Sequence, residues 1–235
     1  LSFASAPDYE TTTSYSATVT ASDGTNTTTQ DITVSVVNEN DNSPSFTSAA
    51  SFSAAENQTG IGTVTATDSD GDSVTFTVSG SDLSITSAGV LTFVSAPDYE
   101  TKASYSATVT ASDGTNTNTQ EITVSITNIN EAPAFSADYS TFSVEENNQT
   151  VATISANDPE GGTLTFSLSG TDSNDLSINS STGELAFGFQ QDFENPSDAD
   201  TNNDYEVTLS VSDGTNTVSQ IAVISVTNDA SVYSI

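Results

Sequence analysis

Apolar and polar residues alternate one by one along much of this chain. Tyr105-Ser106-Ala107-Thr108-Val109-Thr110-Ala111 places an apolar group at every second position, and Ile122-Thr123-Val124-Ser125-Ile126 repeats the pattern. A period of two belongs to a strand with one face buried and the other wet. Shorter β-rich runs come before them: Phe46–Ser53, Ile61–Thr67, Val74–Val78, Leu83–Ile85 and Val90–Phe93, parted by Gly, Asp, Asn and Ser. The Asp113-Gly114 step between the two alternating runs is a hairpin turn signal. No stretch carries a helical period.

The pattern recurs. Displaced by 90 positions, residues 1–38 lie over residues 91–128, and eight of the 38 pairs differ: Ser2/Thr92, Ala4/Val94, Thr12/Lys102, Thr13/Ala103, Thr28/Asn118, Asp31/Glu121, Val36/Ile126 and Val37/Thr127. A third copy is looser. Ala55-Glu56-Asn57 returns as Glu145-Glu146-Asn147, Pro97-Asp98-Tyr99-Glu100 as Gln191-Asp192-Phe193-Glu194, and Ser112-Asp113-Gly114 as Ser212-Asp213-Gly214. Self-similarity at a fixed period marks an array. About seven short strands in a repeat of about 90 residues predict an all-β chain of tandem Greek-key, immunoglobulin-like β-sandwiches.

The expected boundaries are a complete repeat over 43–132, a second over 133–228 with an acidic insertion at 195–204, and a tail over 229–235. Residues 1–42 read as the back half of a further repeat. Three strands' worth of alternation cannot bury a core without an opposing sheet. A short tail cannot replace four strands, so either the sequence is a window on a longer array, the preferred reading, or a different polypeptide completes that first repeat. Phe46, Phe52, Phe76, Phe93 and Tyr105 are expected in the core.

Composition narrows the chemistry. Among 235 residues there are 32 acidic side chains, one cation (Lys102) and no His or Cys, for a net charge of −31. Such a chain repels nucleic acid and anionic membrane surfaces. Nucleophile–histidine, zinc and haem chemistries lack their usual residues. No run approaches the length of a membrane-spanning helix, so no membrane insertion is expected. A glycosidase carboxylate pair is conceivable, but an active site is seldom copied at every joint, and no enzyme is expected.

The acids are grouped. Asp8 and Glu10 close one strand region, Glu39 and Asp41 sit between repeats, and Asp68, Asp70 and Asp72 follow in the next repeat. Crowded carboxylates repel unless a cation neutralises them. Ca²⁺ takes six to eight oxygens from carboxylates and carbonyls at loop ends, whereas Mg²⁺ demands a tighter octahedron and keeps its waters.

Five marks in register resemble cadherin repeats: Glu56-Asn57 near the first strand, Asp98-x-Glu100 before the sixth, Asn40-Asp41-Asn42-x-Pro44 at the linker, Asp68-x-Asp70 after the second strand and Ala111-x-Asp113-Gly114 after the sixth. The Thr/Ser/Asn/Asp-rich composition is similar to cadherin-like repeats of large bacterial surface adhesins. The resemblance implies Ca²⁺ between successive domains. At the first seam it implies Asp8, Glu10, Asn40, Asp41 and the Asn42 carbonyl from the leading domain, with Asp68, Asp70 and Asp113 from the following one. At the second it implies Glu56, Asp98, Glu100, Asn130 and Glu131 with Asp158, Glu160 and Asp213. Asn38 and Asn128 stand where the family linker opens with Asp, and Glu131 and Glu160 replace Asp, which predicts fewer or weaker ions there. Glu146, Asp192 and Glu194 read as an incomplete site, because Asn228-Asp229-Ala230 does not continue the linker.

These features together imply an extracellular, cell-surface spacer: a calcium-rigidified segment of a large adhesin or filament. Its partners would be other repeats of the same chain, with neighbouring copies or cell-surface glycans besides. The alternative is a module that recognises carbohydrate or a like copy. In the insertion, oxygens at Asp198, Asp200, Asn202 and Asp204 have the alternate spacing of a calcium-loop start, but the turn glycine and closing glutamate are missing. An extra site and a solvated loop are equally expected. Asp72, Asp82, Asp172 and Asp175 read as solvated surface, and the Asn-x-Ser/Thr triplets at Asn26, Asn57, Asn148 and Asn179 as chance.

Overall fold

The computed structural model describes residues 1–229, which hold strands, turns and irregular connections, in two compact units that divide between Asn128 and Ile129. The first unit opens with an antiparallel hairpin, β1 (Ser14–Ser22) and β2 (Thr27–Ser35). A sandwich follows, made of β3 (Ser45–Phe46), β4 (Ser51–Ala55), β5 (Gly60–Thr63), β6 (Ala66–Thr67), β7 (Thr75–Val78), β8 (Leu83–Ile85), β9 (Val90–Phe93), β10 (Ser104–Ser112) and β11 (Thr117–Thr127). One sheet has the order β4-β11-β10-β7, with β4 parallel to β11, and the others are β5-β9-β8 and the short pair β3-β6.

The alternation places its apolar face inward as expected. Val109, Ala111, Ile122, Val124 and Ile126 pack with Val64, Phe76, Leu83, Leu91 and Phe93, while Phe46, Phe52 and Tyr105 lie partly buried against them. Two expected strands are each divided. The run 46–53 becomes β3, paired with β6, and then β4, which crosses to β11; the run 61–67 becomes β5, paired with β9, and then β6. At the second break Val64 N–H donates to the Gly89 carbonyl, one step past the end of the β5–β9 ladder. Alternation reports which face is buried but not which neighbour a strand pairs with, so a change of partner leaves no trace in it.

The second unit repeats the order with β12 (Ala134–Phe135), β13 (Thr141–Glu145), β14 (Thr150–Thr153), β15 (Ala156–Asn157), β16 (Thr165–Ser169), β17 (Leu176–Ile178), β18 (Glu184–Phe187), β19 (Asp204–Ser212) and β20 (Thr217–Thr227). Its sheets are β13-β20-β19-β16, β14-β18-β17 and β12-β15. Tyr205, Val207, Leu209, Ile224 and Leu185 are among its fully buried side chains.

The segment 1–38 nearly duplicates 91–128. Its hairpin keeps the same register, Ser14↔Ser35 against Ser104↔Ser125. Its apolar face is open, however: Val19 is 45% exposed where Val109 is 0%. Only two strands form of the three expected. Leu1 and Phe3 are 96% and 43% exposed, while their counterparts Leu91 and Phe93 lie in β9 at 0% and 3%. β9 is held between β5 and β8, and residues 1–38 contain no counterpart of either strand. Of the expected tail, all but Asp229 lies outside the described residues.

Candidate metal centres

Unit 1 gathers the first set of predicted residues around Asp70. Asn42 donates to both of its oxygens, from the backbone N–H and from Nδ2, each at 2.9 Å, and Asn38 Nδ2 reaches the Asp70 carbonyl at 2.8 Å. Carboxylate oxygens of Glu10, Asp41 and Asp70 lie within 4.8 Å of one another, as do those of Asp68, Asp70 and Asp72. Asp68 Oδ1 accepts from the Asp70 N–H at 3.0 Å, the Asx-type turn that an Asp-x-Asp spacing permits. Asp8 caps its own turn, accepting from the N–H groups of Glu10 and Thr11 and from the Thr11 hydroxyl.

Asn40 and the Asn42 carbonyl face Asn116, whose Nδ2 donates to Asn40 Oδ1 at 2.8 Å and to the Asn42 oxygen at 3.1 Å. Asp113 Oδ1 in turn accepts from the Thr115 and Asn116 N–H groups at 2.7 and 2.6 Å. Asn116 was not among the predicted residues. Its signal was present as Asp-Gly-Thr-Asn at 23–26, 113–116 and 213–216.

The second set divides between the units. In unit 1 oxygens of Glu56, Asp98 and Glu100 lie within 4.8 Å of one another. Glu56 is 1% exposed and accepts from the Tyr99 N–H at 2.7 Å, while Asn128 Nδ2 donates to Glu100 at 2.7 Å. In unit 2 the Glu131 N–H donates to Glu160 at 3.1 Å, Glu160 N–H to Asp158 at 3.0 Å, and Asn130 Nδ2 to Asp213 at 2.8 Å. Asn216 repeats the role of Asn116, donating to the Asn130 and Glu131 carbonyls.

Charge and burial compete at these positions. The Asn42 side chain holds the Asp70 carboxyl below the usual aspartate range, and the Asn130 side chain does the same for Asp213. For Asp113, desolvation is the largest influence and pushes upward, yet the Asn116 and Thr115 backbone donors carry it below the ordinary value. Glu10 is raised, by desolvation first and by the Asp70 charge as well. Six buried side-chain oxygens among the described residues lack a hydrogen-bond partner, and four belong to these sets: Asp68 Oδ2, Asp113 Oδ2, Asp158 Oδ2 and Glu160 Oε2. An unpartnered buried carboxylate oxygen is costly unless a cation meets it.

Unit 2 also holds Glu146, Asp192 and Glu194 within 4.8 Å of one another. Glu146 is 7% exposed and accepts from the N–H groups of Phe193 and Asp229, and Asn228 donates to Glu194.

The insertion folds otherwise than as a regular metal loop. Asp198 turns inward, 3% exposed, and accepts from the N–H groups of Asn202 and Asn203; Asp204 joins β19 and accepts from Ser225. Asp172 is not solvated surface. It is 5% exposed and accepts from the Ala199 and Glu206 N–H groups, because it fastens the insertion to the sandwich. Asp175 is likewise partly buried, and desolvation, then the Asp172 and Asp198 charges, raise its carboxyl. The Asp198 carboxyl, by hydrogen bonding, raises Asp200. Beneath the loop the buried Tyr205 hydroxyl donates to Gln191 Oε1 at 2.5 Å and meets Ser197. Tyr205→Phe should cost unit 2 about 1–2 kcal/mol, read as a lower denaturation midpoint with an unchanged denaturant slope. An unaltered midpoint would show that the network adds nothing.

Solved structures similar to this chain share its fold. Repeats EC22–24 of mouse cadherin-23 match at 23% identity and a TM-score of 0.57, covering 95% of this chain and 77% of that one. Repeats EC1–3 of mouse protocadherin-24 match at 23% and 0.58, covering 95% and 83%. Extracellular cadherin domains 1–5 of protocadherin gamma B2 match at 23% and 0.60, covering 94% and 47%. The chain is thus built of cadherin-like, immunoglobulin-like β-sandwich repeats. Over residues 40–127 its sequence matches the family described as bacterial Ig domain. No curated protein matches the chain in sequence. No helix among the described residues is long and apolar enough to cross a membrane.

Proposed function

We infer that this chain is a calcium-rigidified spacer segment of a large extracellular, cell-surface adhesin or filament, supporting cell adhesion. The observation that carries the reading is the set of orphaned carboxylate oxygens at Asp68, Asp113, Asp158 and Glu160, of which Asp68 and Asp158 stand at the same register in the two repeats. Carboxylates and carbonyls are the donors that Ca²⁺ prefers, so the residues present fit it. Asp8, Glu10, Asn40, Asp41, Asn42, Asp68, Asp70 and Asp113 would hold it at the seam over 38–44. The cadherin resemblance implies the same role for Glu56, Asp98 and Glu100 on one unit and for Asn130, Glu131, Asp158, Glu160 and Asp213 on the other.

Ca²⁺, when bound, supplies the positive charge that lets these carboxylates share a small volume. The chain itself supplies the positioning. Asn116 and Asn216 clamp the linker carbonyls, and Asp70 and Glu160 grip the linker N–H groups of Asn42 and Glu131. A linker held at both its donors and its acceptors has little freedom to bend. The hydroxyl-rich outward positions of β10 and β11 (Ser104, Ser106, Thr108, Thr110, Thr119, Thr123 and Ser125) offer no stacking platform for sugar rings, which favours a spacer over a carbohydrate-binding module.

The test is Asp68→Ala with Asp70→Ala, titrated with calcium by calorimetry. The weakening at the first seam should exceed the roughly 10–100-fold that losing an outer-shell partner costs a metal site, while sites built on Asp158 and Glu160 keep their affinity. Equal calcium binding by the variant and the parent chain would sink the proposal.

A further inference from the structure

The outward faces of β10 and β11 carry no aromatic platform, but unit 2 presents one elsewhere. Phe189, in the connection that follows β18, is 48% exposed, the most exposed aromatic side chain among the described residues. Its neighbour Gln190 lines a groove of about 430 Å³, together with Glu145, Asn147, Asn148 and Gln149, where β13 passes into β14. The two segments are fastened on both sides of Phe189. Phe187 N–H donates to the Gln149 carbonyl at 2.8 Å, and Asn147 N–H donates to the Gln191 carbonyl at 3.1 Å. Gln190 Nε2 adds a bond to the Asn147 carbonyl at 3.1 Å. The rim is braced from beneath, since the buried Gln191 donates from Nε2 to the Phe189 carbonyl at 3.2 Å and accepts from the Tyr205 hydroxyl. By contrast, the side chains of Glu145, Asn147, Asn148 and Gln149 are exposed and have no hydrogen-bond partner among the described residues. The repeat in unit 1 is plainer at these positions: Ala55 stands for Glu145, Thr59 for Gln149, and Ser95-Ala96 for Phe189-Gln190. Both repeats close the same ladders, so folding does not require the change.

We propose that this groove is a subsite for an uncharged glycan, with a pyranose ring lying on Phe189 and its hydroxyls held by the Asn148, Gln149 and Gln190 amides and the Glu145 carboxylate. An amide offers donors and an acceptor together, and a carboxylate accepts at both oxygens, which is the set that neighbouring sugar hydroxyls require. The C–H face of a pyranose covers an aromatic surface that water otherwise wets. An apolar platform beside a few convergent polar groups is the usual build of a small-ligand site. Charge selects the class of sugar. The groove holds a carboxylate and no cation, in a chain of net charge −31, so a uronate or a sialate is repelled. An added peptide strand is disfavoured, because β14 is an edge strand with a bulge between Thr150 and Ala152. Gln191 and Tyr205 hold the rim in place beforehand, which leaves little ordering to oppose binding. The subsite lies within unit 2, goes beyond the spacer reading and needs no calcium at the seam over 38–44.

A glycan array printed with neutral, sialylated and sulfated sugars, probed with the full chain at fixed calcium, tests the assignment. Signal should be confined to neutral glycans. Phe189→Ser with Gln190→Ala restores the pair found at 95–96. It should weaken binding of the neutral glycan that gives the strongest array signal by about 10–100-fold in calorimetry, with the melting temperature kept. Should that pair lower the melting temperature, Asn148→Ala with Gln149→Ala, at two exposed positions, decides instead. Asp68→Ala with Asp70→Ala should leave glycan binding unchanged, which separates this subsite from the calcium reading. An array without neutral signal, signal on acidic glycans alone, or equal affinity of the groove variants and the parent chain overturns the proposal.

Discussion

Stripping calcium from this chain with a chelator should lower its melting temperature by about 10–20 °C. The size follows from linkage. Extracellular calcium modules bind at about 10⁻⁴–10⁻³ M, so calcium at about a hundred times the dissociation constant adds about 2.7 kcal/mol for each filled site. In a domain of about 60–100 residues each kcal/mol moves the midpoint by about 4–8 °C. The sites act on carboxylates that otherwise face one another, so the apo chain loses the ion and regains the repulsion among Glu10, Asp41 and Asp70. Scanning calorimetry with calcium and with chelator measures it. Coincident melting curves would falsify the metal reading for every set at once. The same curves at fixed calcium and rising sodium chloride separate the two contributions, because salt screens exposed repulsion and does not replace a bound divalent ion.

Gly183→Ala should cost unit 2 about 3 kcal/mol or more, and Gly89→Ala should do the same to the repeat in unit 1. Both glycines sit at positive φ, +72° and +88°. An added methyl carbon would stand 2.0 Å from the Ile154 carbonyl oxygen and 2.2 Å from that of Val64. Those atoms are backbone, and the same carbonyl-bearing residues are tied by their own N–H groups to Gly183 and Gly89 at 2.8 and 2.9 Å. Neither side can yield without breaking the end of the β14–β18 or β5–β9 ladder. Gly114, also at positive φ but with open space around it, is the control: its alanine variant should lose only the conformational part, about 1 kcal/mol. Chemical denaturation of the three variants checks the order, and equal losses at Gly183 and Gly114 would show that the close approach is not what the glycine serves.

Much of this protein was legible without coordinates because its signals are local and repeated. Alternation along Tyr105–Ala111 and Ile122–Ile126 fixed which face is buried, since a strand's side chains point to opposite sides by geometry alone. The ninety-residue displacement identified the array, and recurrence at one register separated seam acids such as Asp68 and Asp70 from scattered ones. The third copy's Asp213 was legible in the same way. What escaped was everything that depends on a partner distant in sequence. The runs 46–53 and 61–67 each change sheets, and Asp172 is buried because an insertion folds over it, with Ala199, 27 residues further on, donating to it. Asn116 carries no charge to draw notice, yet it clamps a linker 74 residues away.

The chain's own letters determined an all-β array with carboxylates collected at the repeat ends, because strand period and charge are properties of neighbouring residues. Only the tertiary structure decided which acids are taken out of solvent. Asp172 reads as solvated in its own local sequence, and it is buried because the N–H groups of Ala199 and Glu206, far along the chain, close on its carboxylate.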